Sequence, residues 1–323
     1  LRTPRPPRQT LGEDGLRLLR LVRFAAELDF DVEAETLAAA RALCALIDDI
    51  APERIWAELT RLLMADVRSG LPPARTVLRG LELLQDTGLL RRVLPEVWAG
   101  RGIRQRPRYH DFDVMEHAFH ACAQADPTLL DRTAALLHDI GKPAAQARDG
   151  SMHGHDSLGA AMVQDIARRL RWDKALAREV EALVAAHMYD LTGQTHEDKL
   201  RWFLAQMGRD RAGHWVALRR ADFRGSKRDP DAALSTARWE ELYAAMLADG
   251  TPFSPREVAL DGRDIAAILG EPPSPRIGAM QRALWKSAVQ HPSANRPDIL
   301  RRRALQLKRD PRQWLGNQGG EQP

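Results

Sequence analysis

Cysteine is nearly absent: the 323 residues hold only Cys44 and Cys122. No disulfide framework can be built from two such residues, and a reducing cytoplasm is the expected compartment. Long apolar runs are missing as well. None approaches the roughly 20 residues that cross a bilayer, so no membrane partner is expected. The opening LRTPRPPRQT is polar and proline-rich, unlike a secretory leader. Aromatic residues make up only 6% and β-branched runs are short, which argues against strands. No repeat of fixed period occurs.

What is present is a mildly basic, globular composition: 44% hydrophobic, 28% charged, net charge +4 and pI about 9.3. Such a balance is compatible with an anionic partner. Apolar residues recur at helical spacing almost everywhere, as in 16–30, 35–50, 52–66 and 73–90. The expected fold class is all-α. Breaker-rich stretches at 98–113 and 224–234 read as linkers, and PPSPRIG (272–278) as a turn. They divide the chain into blocks 1–105, 106–225 and 226–323. Beyond Arg309 a disordered tail is expected. The chain opens on Leu1 rather than Met, so an upstream segment is expected.

Eight of the ten histidines lie between His110 and His196. Histidine with carboxylate suits Mn, Fe, Co, Ni or Zn, and with fewer histidines Mg. His-Asp occurs at His110-Asp111, His138-Asp139 and His155-Asp156. Only the second follows an apolar run, AALL, and precedes Ile140-Gly141-Lys142-Pro143. A buried polar pair without partners costs a few kcal/mol, so something must satisfy it. Gly141 is read as a turn residue, and Pro143 as the end of the helix.

HDIGK resembles the signature of the HD superfamily of metal-dependent phosphohydrolases. That resemblance implies a first His, a His-Asp pair and a distant Asp on separate helices. They map onto His117, His138, Asp139 and Asp222, with His120 the competitor for the first place. His155 and His187 fit the dinuclear members, holding a second ion or touching phosphate, whereas His120, His153 and His196 read as ordinary structural residues. Lys142, three residues after Asp139, is placed to neutralise a phosphate oxygen. One or two divalent ions per chain are implied, with Asp139 and Lys142 acting on the substrate. The chemistry is hydrolysis of a phosphomonoester or cyclic phosphodiester. No Ser or Cys nucleophile with a placed base is evident.

The flanks carry a second resemblance. Glu13, Asp14, Arg17, then Arg20, Arg23 and Phe24, resemble the EDxxR and RxxRF stretch of class II tRNA nucleotidyltransferases, the CCA-adding enzymes and their poly(A) polymerase relatives. There the Asp and Arg pair with the base of CTP or ATP, roles that would fall on Asp14 and Arg17. A plainer account has Thr10 and Glu13 as a capping box, Asp14 opposing the helix dipole and Arg17 pairing with these acids. PERIWAELTRLLMAD, LELLQDTGLLRRVLPEVW, ALDGRDIAAILGEPPSPRIG and HPSANRPDILRRRALQL resemble the neck, body and tail of the same family. Ser274 stands where the family's turn usually has glycine.

The family's transfer chemistry also needs a Gly-Ser or Gly-Gly turn followed by D-x-D on a strand. Gly225-Ser226 with Asp229-Pro230-Asp231 is too closely spaced, and its proline is unsuited to a strand. The catalytic head is therefore expected to be absent from this chain. The first expectation is a metal-dependent 2′,3′-cyclic phosphodiesterase or phosphatase acting on nucleotides or RNA ends. Its alternatives are the C-terminal part of a CCA-adding enzyme using CTP and ATP, or a non-catalytic tRNA-binding module.

Overall fold

The computed structural model describes residues 1–105, 112–191, 193–226 and 230–315. Every regular element among them is helical; the sole β feature is an isolated bridge between Arg104 and Asp113. The all-α expectation holds. His110 and Asp111 lie outside the described residues, as does Asp229.

The chain folds as two compact units, Leu1–Tyr189 with Ala217–Ala233, and Asp190–Val216 with Leu234–Pro323. The first unit opens with α1 (Pro7–Gly12), α2 (Leu16–Glu27), α3 (Ala34–Leu43), α4 (Pro52–Leu63), α5 (Ala65–Ser69) and α6 (Arg79–Asp86). The short α7 (Leu90–Val93) and α8 (Pro95–Trp98) lead to α9 (Val114–Gln124), α10 (Leu129–Leu137), α11 (Lys142–Asp149), α12 (His155–Arg169) and α13 (Lys174–Ala186). The second unit has α14 (Glu197–Met207), the start of α15 (Arg209–Ser226), most of α16 (Pro230–Ala248), α17 (Gly262–Leu269), α18 (Pro275–Gln290), α19 (Pro297–Arg309) and α20 (Arg312–Leu315). From Ala217 onward α15 belongs to the first unit.

Compactness thus divides the chain differently from its breaker residues. Leu18, Val22, Leu59, Leu84, Phe119, Leu137, Val163 and Val180 belong to one apolar cluster that includes both block 1–105 and the histidine-rich block. Polar ties, one of them buried, cross the same boundary. Arg132 of α10 is 1% exposed and donates to Asp66 of α5 at 2.6 Å. Arg169 at the end of α12 binds both carboxylate oxygens of Glu96 at 2.8 Å.

Several local expectations are corrected. The stretch 35–50 is not one helix, because α3 gives way to a 3-10 segment, Cys44–Asp49. The 224–234 stretch is largely helical: α15 runs to Ser226 and α16 begins at Pro230. PPSPRIG opens α18, with Pro275 and its missing N–H in the first turn. The tail does not lose order at Arg309, since Trp314 is buried and its indole donates to the Leu307 carbonyl at 2.8 Å. Thr10 lies inside α1 and caps nothing; its hydroxyl donates to the Arg5 carbonyl.

The first unit's interior also holds a charged knot. Arg23 is 6% exposed; its Nε donates to Glu58 at 2.6 Å and its Nη1 to Glu27 at 2.6 Å. Glu58, 3% exposed, also meets Arg20 and Arg61. Removing one member strands the other's buried charge. Glu58→Ala is expected to cost about 3–5 kcal/mol in urea unfolding, whereas Arg61→Ala, at the exposed end of the knot, should cost under about 1 kcal/mol.

Candidate metal centre

Four helix ends and the last stretch of α15 build the site. Asp113 caps α9: its side chain accepts from the Glu116 N–H, and Glu116 answers to the Asp113 N–H. This fixes the start of α9, on which His117 follows one residue later. His138 is the residue at which α10 ends, and His187 the residue at which α13 ends. His155 opens α12. Each of these three rings uses Nδ1 on the carbonyl three residues earlier: His138 on Ala135 at 2.8 Å, His155 on Met152 at 2.7 Å, His187 on Val184 at 2.6 Å. Carbonyls accept only, so each Nδ1 carries a proton, and Nε2 is the nitrogen that can offer a lone pair.

These Nε2 atoms converge on carboxylates. His117 Nε2 lies 3.2 Å from His138 Nε2 and 3.0 Å from Asp222 Oδ1. His138 Nε2 lies 3.2 Å from Asp139 Oδ2 and 3.6 Å from Asp222 Oδ1. On the other oxygen of Asp139, Oδ1, stand His155 Nε2 at 3.2 Å and His187 Nε2 at 3.6 Å, themselves 3.1 Å apart. All four imidazoles and Asp139 are at most 2% exposed. The structure therefore brings His117, His138, Asp139, Asp222, His155 and His187 together around two faces of one carboxylate.

His120 is not among them; it stacks on Phe112, with ring centroids 4.1 Å apart. His153 is exposed, and His196 caps α14. Asp14 and Arg17 do not pair with each other. Asp14 accepts from the Leu16 N–H at 3.0 Å and from Arg54 at 3.1 Å. Arg17 donates to Glu13 at 2.5 Å and to the Thr10 carbonyl at 2.7 Å. The plainer reading of Arg17 as a helix ion pair thus describes its present contacts.

Where two neutral imidazoles meet, as His155 and His187 do across 3.1 Å, their Nε2 lone pairs repel unless a proton or a cation lies between them. The spacing suits one. Ligand atoms 2.0–2.1 Å from an ion stand about 2.8–3.4 Å apart, from octahedral to tetrahedral arrangement. The charges agree. Burial disfavours ionised carboxyls, yet facing His138 and Lys142 hold Asp139 well below the usual carboxylate range. Against the same cost of burial, hydrogen bonds from His117 and His138 do so for Asp222. Burial lowers the pKa of His138, but Asp139 and Asp222 outweigh it and push it up to about 10. Burial, with the His138 and His155 charges, lowers that of His187. The two carboxylates favour positive charge beside them, and the donor set fits a divalent metal ion.

Three supporting residues escape the sequence reading. Arg219, 3% exposed, donates to Asp222 Oδ2 at 2.8 Å and leaves Oδ1 for the histidines; its i, i+3 spacing to Asp222 is the signal that could have found it. Gln105 Oε1 accepts from Lys142 Nζ at 2.6 Å, while that ammonium sits 2.5 Å from Asp139 Oδ2. The third is Glu116, in the cap of α9. Gly141 is needed for a different reason from the one the sequence suggests. Its φ is −76°, open to any residue, but a Cβ there would lie 2.0 Å from the His155 carbonyl oxygen and 2.7 Å from the Gly159 nitrogen. The turn after Asp139 is pressed against the start of α12.

An all-helical scaffold with buried His and Asp side chains that fit a metal is the arrangement of an HD-type domain. A family model described as "HD domain" matches residues 109–229, and one described as "Probable RNA and SrmB-binding site of polymerase A" matches 29–100. The A-adding tRNA nucleotidyltransferase of Deinococcus radiodurans is 34% identical over 289 residues, 85% of this chain and 64% of that protein. The multifunctional CCA protein of Alkalilimnicola ehrlichii is 31% identical over 289 residues, 84% of this chain and 67% of that protein. The crystal structure of the Bacillus stearothermophilus CCA-adding enzyme, solved with CTP, superposes with a TM-score of 0.65 over 97% of this chain and 66% of that one, at 20% identity. The chain belongs to the tRNA nucleotidyltransferase family of CCA-adding enzymes and poly(A) polymerases. It spans less than two thirds of the length of the Deinococcus relative.

Gly141→Ala is expected to destabilise the chain by about 3 kcal/mol or more in urea unfolding, because the obstacle is backbone. Gly150→Ala, where nothing lies within 4 Å of the added Cβ but φ is +75°, should cost only about 1 kcal/mol.

Proposed function

We propose that this chain serves nucleotide addition to the 3′ end of tRNA, as the neck, body and tail that hold the tRNA of an A-adding or CCA-adding enzyme. The observation that carries this is the 34% identity to an A-adding tRNA nucleotidyltransferase over 85% of the chain. It reverses the order of the sequence reading, which put the hydrolase first. On this reading the substrates are ATP or CTP and tRNA, and the free thiols Cys44 and Cys122 suit the cytoplasm where tRNA is processed. Asp14 and Arg17, part-exposed near the start of the neck, would exchange Arg54 and Glu13 for a base edge. The test is direct. The protein translated from the complete gene, given tRNA ending in C or CC with ATP and CTP, is expected to extend the end; no extension of any tRNA sinks the reading.

A second reading rests on the cluster itself. A complete set of buried ligands has no use in a merely structural domain, since unpaired buried charge is costly. His117, His138, Asp139 and Asp222 would hold one divalent ion, and Asp139, His155 and His187 a second. Such an ion lowers the pKa of water and polarises a phosphoryl oxygen. The rest falls to the chain. Asp222 is 18% and Lys142 12% exposed by side chain, against at most 3% for the other members, so the site opens on their side. A phosphoester entering there meets the Lys142 ammonium, which would leave Asp139 Oδ2 to neutralise a phosphate oxygen. Arg219 keeps Asp222 oriented. The expected substrate is a 2′,3′-cyclic phosphate or a phosphomonoester at an RNA or nucleotide end.

The wild-type chain is expected to carry a divalent transition metal by elemental analysis, and Asp139→Ala to lose it together with at least a hundredfold of 2′,3′-cyclic AMP turnover. Asp222→Ala should weaken the first ion and His187→Ala the second. Unchanged turnover in Asp139→Ala would remove the hydrolase.

A further inference from the structure

A groove of about 680 Å³ runs along the hairpin of α12 and α13, lined by Gln164, Arg168, Arg171, Lys174 and Arg178 over a floor that includes Trp172. Four cations line it and no acid does. The nearby carboxylates are engaged elsewhere or only loosely here. Asp173 caps α13 through the Ala175 and Leu176 N–H groups. Glu181 accepts from Gln164, and Glu96 holds Arg169 away from the groove. Asp165 meets Arg168, and Glu53 stands 3.9 Å from Arg171, both in pairs more than 60% exposed on each side. Exposed pairs of this kind are worth little and exchange readily. Lys174 and Arg178 make no ion pair among the described residues.

We propose that this groove is a docking site for the RNA sugar–phosphate backbone. The volume far exceeds that of a single inorganic anion, and the lining offers charge without base recognition. Its only aromatic ring, Trp172, is 8% exposed and stacked on Trp56 with centroids 4.5 Å apart, so no ring face is left for a base. Arginine and lysine without base contacts read phosphate, not sequence. The groove is also separate from the metal cluster. His155 opens α12 and Arg168 lies 13 residues on, about 20 Å along the helix. RNA seated here is held one helix length from the imidazoles. The inference deepens the tRNA reading above and rests on it: it assigns tRNA a face on the histidine-rich domain, outside the residues 29–100 that match the RNA-binding family model.

The test measures binding of a tRNA transcript to the full 323-residue chain by fluorescence anisotropy across a salt series from about 50 to 200 mM. Arg168→Glu/Lys174→Glu/Arg178→Glu is expected to raise Kd at least about tenfold. It should also make the slope of log K against log salt shallower by about 2, as expected for two to three lost phosphate contacts. Its melting temperature and metal content should match wild type. Arg168→Lys/Arg178→Lys, which keeps the charge, should stay within about threefold of wild-type Kd. Charge reversal that leaves Kd and slope unchanged, while wild type binds tRNA, overturns the groove. So does a charge-keeping variant as weak as the reversed one. Wild type that binds no tRNA overturns the reading on which the groove rests, and the groove with it.

Discussion

One carboxylate organises the first unit of this protein. Asp139 presents Oδ2 to His117, His138 and Lys142, and Oδ1 to His155 and His187. Five groups from five places in the chain thus depend on where one turn after α10 is set. That turn is fixed by contact rather than by conformational freedom: Gly141 lies so close to the His155 carbonyl that any side chain would part α10 from α12. Parting them would separate the two oxygens of Asp139 from one set of imidazoles or the other.

The helices do more than carry these ligands. The last carbonyls of a helix have no partner within it, and at the ends of α10 and α13 a histidine Nδ1 supplies one. The same bond turns Nε2 to the centre, as a carbonyl behind an imidazole does where such a ring holds a metal. Helix termination and ligand preparation are one event here. A histidine moved one residue along would lose both the carbonyl and the direction.

How much of this was legible in the sequence varies with range. The helical periodicity of α2, α4 and α6 was plain, because an amphipathic stripe is written locally. The His-Asp pair was legible for the same reason: polar residues ending an apolar run need partners. The choice of His117 over His120 came from a pattern, and the structure shows its physical basis in the Asp113–Glu116 cap that starts α9. Gly141 was singled out for the wrong cause, since the backbone that crowds it comes from 14 residues away. The order around Trp314 was hidden because its acceptor, the Leu307 carbonyl, belongs to another helix. The division into units was illegible for a similar reason. Breakers mark where helices stop, whereas the shared apolar cluster and the Arg132–Asp66 tie decide what packs together.

That shared packing bears on how the histidine cluster is held within the chain. Arg132 lies on the helix that ends in His138, and it is anchored to α5. Arg169 ends the helix that His155 begins, and it is anchored to Glu96 of α8. Both histidine-bearing helices are therefore fastened to the helices that precede α9. Interiors this dense transmit displacement rather than absorb it. A metal cluster whose ligand atoms stand within 3.0–3.7 Å of one another tolerates little of that. The histidine-rich region is thus no detachable addition to the scaffold; its geometry is referred to the preceding helices through the buried Arg132 and the exposed Arg169.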